Sequence, residues 1–274
     1  RTHLGRFSNW FDGDHSKYDL RKNPDLSRLS YRIMIDIASD GQYTPEDLFV
    51  MSMMIDDLVS PYVCYRDEVY EQEGSTPSGI PVTVIVNSLD NSLINRCAFH
   101  NANPRLAPGA FRRYVSHINY GDDFVNCVSY FASKFNFQSM QEYMAKYGMV
   151  LTPGDKGTTT RKFMKGQYTF LKRKTATLPG YSFTIGRLDE PSILKRLVCV
   201  LESKNLTPEV ASATNIDSAL QEWAFYGHEI FSERQNFMRE VAQKHGIAHH
   251  CNLLNTAHKS VVESLIGEPD LPVE

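Results

Sequence analysis

Apolar residues along the first sixty positions recur at helical spacing. Leu29, Ile33 and Ile37 follow Pro24-Asp25-Leu26 at intervals of four, which predicts a helix over 25–38. A second run through Leu48, Met51, Ile55 and Leu58 begins at Pro45-Glu46-Asp47, with proline and acids where a first helical turn favours them, and stops before Pro61. Residues 63–70 read as a short strand, the Gly-, Ser-, Thr- and Pro-rich run 74–81 as a sharply bent loop, and 81–98 as a third helix. Around Tyr120-Gly121-Asp122-Asp123, residues 112–128 alternate apolar and polar, the pattern of two strands joined by a tight turn. A helix over 137–147 ended by Gly148 comes next, then a strand over 149–151 entering the turn Pro153-Gly154-Asp155-Lys156. Segments 167–171 and 181–185 bracket a further hairpin. From Asp189 the pattern turns helical: Pro191 opens one helix, Asp217 caps another, and a stripe of Trp223, Phe225, Ile230, Phe231, Phe237 and Val241 runs to Gly246. A domain boundary near Gly186 separates the two styles.

Composition adds bounds. With 274 residues, 42% apolar and 22% charged, the chain is of the globular class, one large or two modest domains. Its apolar stretches are too short to cross a bilayer and no leader pattern precedes them. It opens on Arg1 in a run already rich in aromatic residues and glycine, as a piece of a longer protein would. The formal charge of −3 gives no global attraction to polyanions, so a nucleic acid would have to meet a local basic surface. Arg161, Lys162, Lys165, Lys172, Arg173 and Lys174 supply one. The five cysteines are odd in number, far apart and form no C-x-x-C pair, which argues against a disulfide framework or zinc ribbon. His245, His249, His250 and Cys251 form the sole cluster of transition-metal type, but Gly246 breaks the helical spacing such a site would use.

Three acidic groups carry candidate chemistry: Asp14 with Asp19, Asp122 with Asp123, and Asp155 beside Lys156. Phosphoryl transfer brings an attacking hydroxyl against a triphosphate, and carboxylate-held divalent cations neutralise the gathered charge and align the oxygens. Magnesium prefers hard oxygen ligands and keeps some of its waters, so two or three aspartates suffice. Taken alone, Tyr120-Gly121-Asp122-Asp123 is equally an ordinary hairpin tip.

In chain order these segments resemble the palm motifs of the RNA-dependent RNA polymerases of picornavirus-like positive-strand RNA viruses. Asp14-His-Ser-Lys-Tyr-Asp19 is similar to the first motif and Gly74-Ser-Thr-Pro-Ser78-Gly79, with Thr83 and Asn87, to the second. Tyr120-Gly121-Asp122-Asp123 is similar to the third, Tyr147-Gly148 through Thr152-Pro153-Gly154-Asp155-Lys156 to the fourth, and Phe170-Leu171-Lys172-Arg173 to the fifth. Thr83 and Asn87 are four apart on one predicted helix and share a face.

The resemblance implies an α+β fold: a palm over 1–186, an antiparallel sheet backed by helices with a ferredoxin-like core, and a mainly helical thumb over 187–274. Residues 20–75 would be partly a fingers-proximal insertion. It implies an RNA-directed RNA polymerase that transfers nucleotides from ribonucleoside triphosphates to an RNA primer 3′-hydroxyl during viral genome replication. Asp14, Asp122 and Asp123 would hold two Mg2+ ions, with Mn2+ able to substitute. Asp19, Ser78, Gly79, Thr83 and Asn87 would place the ribose, Lys156 would protonate the pyrophosphate, and Lys172 and Arg173 would bind primer and template RNA. Further implied partners are a genome-linked protein primer and other viral replication proteins, in a membrane-associated complex of the host cytoplasm. Fingers are not seen upstream of the first motif, so the chain by itself is expected to polymerise poorly. A non-catalytic RNA-binding scaffold and a reverse transcriptase stay open as alternatives, although Asn87 with Asp19 favours ribonucleotides.

Overall fold

The computed structural model describes residues 3–74, 76, 79–154, 161–164, 168–178 and 184–266. By its contacts the chain divides into two units, Arg1–Leu171 and Lys172–Glu274.

The first unit begins with strand β1 (Asn9–Ser16) and the single helical turn α1 (Tyr18–Arg21), entered through Lys17 in the left-handed region at φ 54°. Two predicted helices follow with their stop signals in place. α2 (Pro24–Ser39) starts on Asn23, whose side chain accepts from Asp25 N, and α3 (Pro45–Val59) starts on a reciprocal cap between Thr44 and Asp47. The expected strand over 63–70 is instead a hairpin, β2 (Tyr62–Tyr65) and β3 (Glu68–Glu71), because Arg66 takes φ 55° and reverses the chain at Arg66-Asp67.

α4 (Thr83–Ala102) is the long helix behind the sheet. A helical turn, α5 (Phe111–Tyr114), precedes β4 (Val115–Tyr120), which pairs with β5 (Asp123–Val128). α6 (Phe137–Ala145) leads through Gly148, at φ 70°, into β6 (Val150–Thr152). A two-residue strand, β7 (Thr169–Phe170), closes the unit. The sheet is antiparallel between neighbours with order β4-β5-β1-β6. β1 pairs with β5 as far as Gly13↔Phe124 and with β6 from Asp14↔Thr152 onward, so Asp14 sits where the strand passes from one partner to the other.

Strand periodicity puts Phe11, Gly13 and His15 on one face of β1 and Asp12 and Asp14 on the other. The first face meets an aromatic core in which Phe135 lies edge-on to Phe11 and Phe99, at 5.2 and 5.7 Å between centroids. α4 presents Ile94, Ala98 and Phe99 to that core and also buries Asn87, Asp90, Asn91 and Asn95. This stripe of buried amides is why the helix shows no clean apolar face in its sequence.

The second unit starts with β8 (Arg173–Thr177) and β9 (Thr184–Leu188), paired from Arg173↔Leu188 to Thr177↔Thr184. The hairpin expected here therefore uses a later first strand than 167–171. α7 (Glu190–Val198), α8 (Pro208–Ala224), α9 (His228–Lys244) and α10 (His258–Ile266) complete it. Leu178 and Leu188 are buried in the same core as Trp223, Leu220 and Phe231, so the β8–β9 hairpin belongs with these helices. This is the physical reason that the division falls after Leu171 rather than near Gly186.

One cap is reassigned. Asp217 lies inside α8, which starts on Thr207, and its carboxylate accepts from Asn252 N, Asn252 Nδ2 and Leu253 N at 2.8–3.1 Å. The Trp223–Val241 stripe is two helices, broken at Gly227, where φ is 98°. No described helix is long and apolar enough to cross a membrane. The architecture is thus mixed, antiparallel sheets with helices, as expected for an α+β chain.

Candidate active site

The β4–β5 ladder closes at Tyr120↔Asp123 and leaves Gly121 and Asp122 as a two-residue loop. Gly121 has φ 61°, which suits the first loop position of a type II′ hairpin turn and favours glycine there. A Cβ at this position would meet nothing within 4 Å, so the requirement is one of backbone conformation alone. Helix α4 grips the turn from behind. Gly121 N donates to Ser88 Oγ at 2.8 Å, Asn91 Nδ2 donates to Gly121 O at 3.0 Å, and Asn119 Nδ2 donates to Ser88 O.

Carrying the β1–β5 register one step beyond Gly13↔Phe124 sets Asp14 opposite Asp123. Burial raises the pKa of Asp122; its own backbone N–H offsets this, and the Asp14 and Asp19 charges with a hydrogen bond to Asp14 push it further up. Burial likewise lifts Asp123 to about 6, against the Leu171 N–H that it accepts at 2.6 Å, with Asp14, Asp122 and Asp12 adding repulsion. Asp12 is buried and tied to backbone, accepting from Thr169 N at 2.8 Å and Gly154 N at 3.3 Å. A Cβ at 154 would lie 3.1 Å from the Asp12 carboxyl carbon, a tight approach that the carboxylate would have to give way to.

Partly buried carboxylates held against their mutual repulsion are the donor chemistry of a hard divalent cation. Asp14 and Asp122 meet, while Asp123 is turned onto Leu171 N. Among the described residues no three His, Cys, Asp or Glu side chains converge as a complete ligand set. His245, His249, His250 and Cys251 form no such set either, and the His249 and His250 rings pack on each other, 3.9 Å between centroids.

Beside the acidic pair, Asn87 Nδ2 donates to Asp19 Oδ1 at 2.7 Å, joining α4 to α1. Thr83 stands one turn before Asn87, in the first turn of α4. Gly79 adopts φ 97°, and among the described residues an added Cβ would meet nothing within 4 Å, while Ser78 and Lys156 lie outside the described residues.

The viral RNA-dependent RNA polymerase family is matched over residues 1–236. The chain belongs to that family. Its relatives include the genome polyprotein of deformed wing virus, 29% identical over 242 residues, which takes in 86% of this chain and 8% of the polyprotein. The RNA1 polyprotein of Satsuma dwarf virus is 28% identical over 255 residues, 89% of this chain and 12% of the relative. The genome polyprotein of rice tungro spherical virus (strain A) is 27% identical over 234 residues, 81% of this chain and 7% of the relative. The chain therefore spans only a small part of the length of these polyproteins. Divalent metal ions are general in the polymerase family, and the Asp14–Asp122 pair fits them by its chemistry.

Other residues packed behind the acidic pair escape motif reading. Lys22, Ser88, Asp90, Asn91, Asn95, Asn126, His15 and His117 form the polar interior behind it. Asn126 Nδ2 donates to Asn95 Oδ1 at 2.7 Å, and Asn95 Nδ2 to Asn91 Oδ1 at 2.8 Å; His15 Nε2 lies 3.4 Å from the same Asn91 oxygen. The one sequence signal is the Asn87, Asn91, Asn95 spacing of four, a polar stripe on a helix that otherwise looks buried.

The two basic residues expected at RNA lie in the second unit. Arg173 is held there by a two-pronged bond to Glu222, at 2.6 and 2.9 Å, and donates to Gly186 O at 2.8 Å; Lys172 is exposed. Its pairing makes Arg173 a brace between strand and helix.

His117 supplies a pH test of the polymerase interior. Asn126 already donates through Nδ2, so its Oδ1 accepts from His117 Nδ1 at 2.9 Å. Burial lowers the His117 pKa from 6.5 to about 4, Asn126 opposing and Arg96 and His3 assisting. The unfolded chain takes up the proton first, so this stability is full above pH 6.5 and is lost as pH falls toward 4. Urea melts at pH 7 and pH 5 should differ by roughly 2 kcal/mol from this group. The slope, rather than the absolute stability, should shrink in His117→Gln.

Proposed function

We propose that this chain carries out template-directed RNA synthesis, joining ribonucleoside triphosphates to the 3′-hydroxyl of an RNA primer with release of pyrophosphate. The first unit serves as the polymerase palm and the second as its thumb. The reading rests on one juxtaposition: the meeting of Asp14 and Asp122 beside the Asn87–Asp19 hydrogen bond, a charge-bearing pair next to a polar pair of the kind that reads a sugar. Asp14 and Asp122, with Asp123 after release from Leu171 N, are the residues that would hold two divalent ions, for which Mg2+ is our choice and Mn2+ a substitute. When bound, such ions neutralise the triphosphate and lower the pKa of the attacking hydroxyl.

The remaining work falls to the chain's own side chains. Asp19, held by Asn87, accepts from a 2′-hydroxyl, which only a ribonucleotide offers. Thr83 and the loop of Ser78 and Gly79 complete the ribose and base-pair side, and Lys156 gives a proton to the leaving pyrophosphate. Lys172 contacts strand phosphates, with Arg173 holding β8 in place beneath it. A genome-linked protein primer and further replication proteins are the proposed partners.

The test is primer extension by the full-length polymerase carrying this chain, comparing each NTP with its 2′-deoxy form. Asn87→Ala should lower the ratio of their kcat/KM values by about tenfold or more, the worth of a hydrogen bond to a charged group. Extension without any preference for ribonucleotides in the parent enzyme would defeat the reading.

A further inference from the structure

An asparagine amide presents an oxygen and an NH2 group of nearly the same shape, so its orientation is set by what lies at each end. At Asn87 the NH2 end faces Asp19 Oδ1 at 2.7 Å, and the oxygen accepts from Lys22 Nζ, also at 2.7 Å. An ammonium is a donor only, so it accepts no bond from the NH2 end and fixes the amide one way round. Lys22 is itself held, 2.8 Å from Asp90 Oδ2, with both side chains wholly buried. Asp90 in turn accepts from Ser27 Oγ at 2.9 Å and Ser30 Oγ at 2.5 Å.

The geometry follows from two helical spacings that interlock. Asp19 and Lys22 are three residues apart, from the start of α1 to just past its end, and Asn87 and Asp90 are three apart on α4. One amide is thereby gripped at both ends by a single turn of chain, and the gripping lysine is neutralised from the next turn of the facing helix.

We infer that Lys22 is a specificity-determining positioning residue: it holds the Asn87 amide so that its NH2 end is committed to Asp19, and so sets discrimination for the 2′-hydroxyl. The inference rests on the ribose reading of Asp19 and Asn87 given above. Without Lys22, Asn87 would stand between two carboxylates, Asp19 and Asp90. Its NH2 group would then be drawn to either, and in the flipped orientation its oxygen would oppose Asp19 and leave that carboxylate unheld.

Removing Lys22 alone would strand a buried charge at Asp90, which is costly to folding. The working variant is therefore Lys22→Met with Asp90→Asn, which keeps the pocket neutral, leaves one amide oxygen where Ser27 and Ser30 bond the two oxygens of Asp90, and faces Asn87 with no donor-only group to fix its amide. In the full-length polymerase, with thermal melts confirming the fold, its ratio of kcat/KM for NTP over dNTP should drop by about tenfold, near that of Asn87→Ala. Lys22→Arg, still a donor-only cation, should hold the ratio within about twofold of the parent. Should that double variant not fold, Lys22→Gln with Asp90→Asn, which fills the pocket with a polar side chain, carries the same prediction with a smaller loss, because its amide also flips. A parental ratio in either folded double variant, alongside a lowered ratio in Asn87→Ala, would overturn the role of Lys22. An unchanged ratio in Asn87→Ala would instead overturn the ribose reading beneath it.

Discussion

Asp122→Asn is expected to lower nucleotide incorporation by the full-length polymerase at least about 10³-fold, the scale of losing several kcal/mol of charge stabilisation at the reacting phosphate. The substitution keeps the shape of the side chain, and the turn that carries it is held independently by Ser88 and Asn91 on Gly121. Folding should not suffer. Asp122 is pressed toward protonation by burial and by Asp14 and Asp19, so a neutral amide relieves repulsion, and the metal-free thermal midpoint at pH 7 should stay level or rise. Activity and stability thus move apart, which a general folding defect would not produce. The two readouts are primer extension with Mg2+ and a melt in chelator. Near-parental extension by Asp122→Asn would remove this carboxylate from the chemistry.

Gly13→Ala is expected to destabilise the first unit by about 1–3 kcal/mol, the usual cost of overfilling a packed core. A methyl there would sit 2.7 and 2.9 Å from Phe124 ring atoms and 2.8 Å from Leu151 Cδ1, well inside contact distance. Phe124 is fully buried and cannot retreat, with the rings of Phe11, His15 and His117 at 6.1, 5.6 and 6.3 Å from its own. The strand must therefore yield, and it carries Asp14 at the next position. A displacement near 1 Å there would cost on the order of 10² in rate. Denaturant melts and extension assays should show both losses, and Gly13→Ala with Phe124→Leu should recover part of each. A Gly13→Ala protein as stable as its parent would refute the packing argument.

The motif residues differ in how far their positions could be foreseen. Asp122 was legible because alternation and the Gly121-Asp122 turn are local properties. Asn87 was legible as a residue sharing a face with Thr83, yet the Lys22 that orients its amide lies 65 positions away and carries no pattern of its own. Residues 63–70 were read as one strand because apolar content hid a turn made by the backbone of Arg66. Asp217 looked like a cap because aspartate so often is one; tertiary contact instead gives it the backbone of Asn252 and Leu253.

By itself the order of residues determined where α2 and α3 begin and end, the hairpin tip with its two aspartates, and the ordered motifs of a polymerase. These depend on near neighbours, through capping, period and turn geometry. Only the tertiary structure decided that Asp14 meets Asp122 while Asp12 is spent on Gly154 and Thr169, that Arg173 is bound by Glu222, and that Lys22 stands behind Asn87. Each of those choices is a contact between distant segments, and strand register and helix packing, which no local pattern encodes, settle which side chains arrive together.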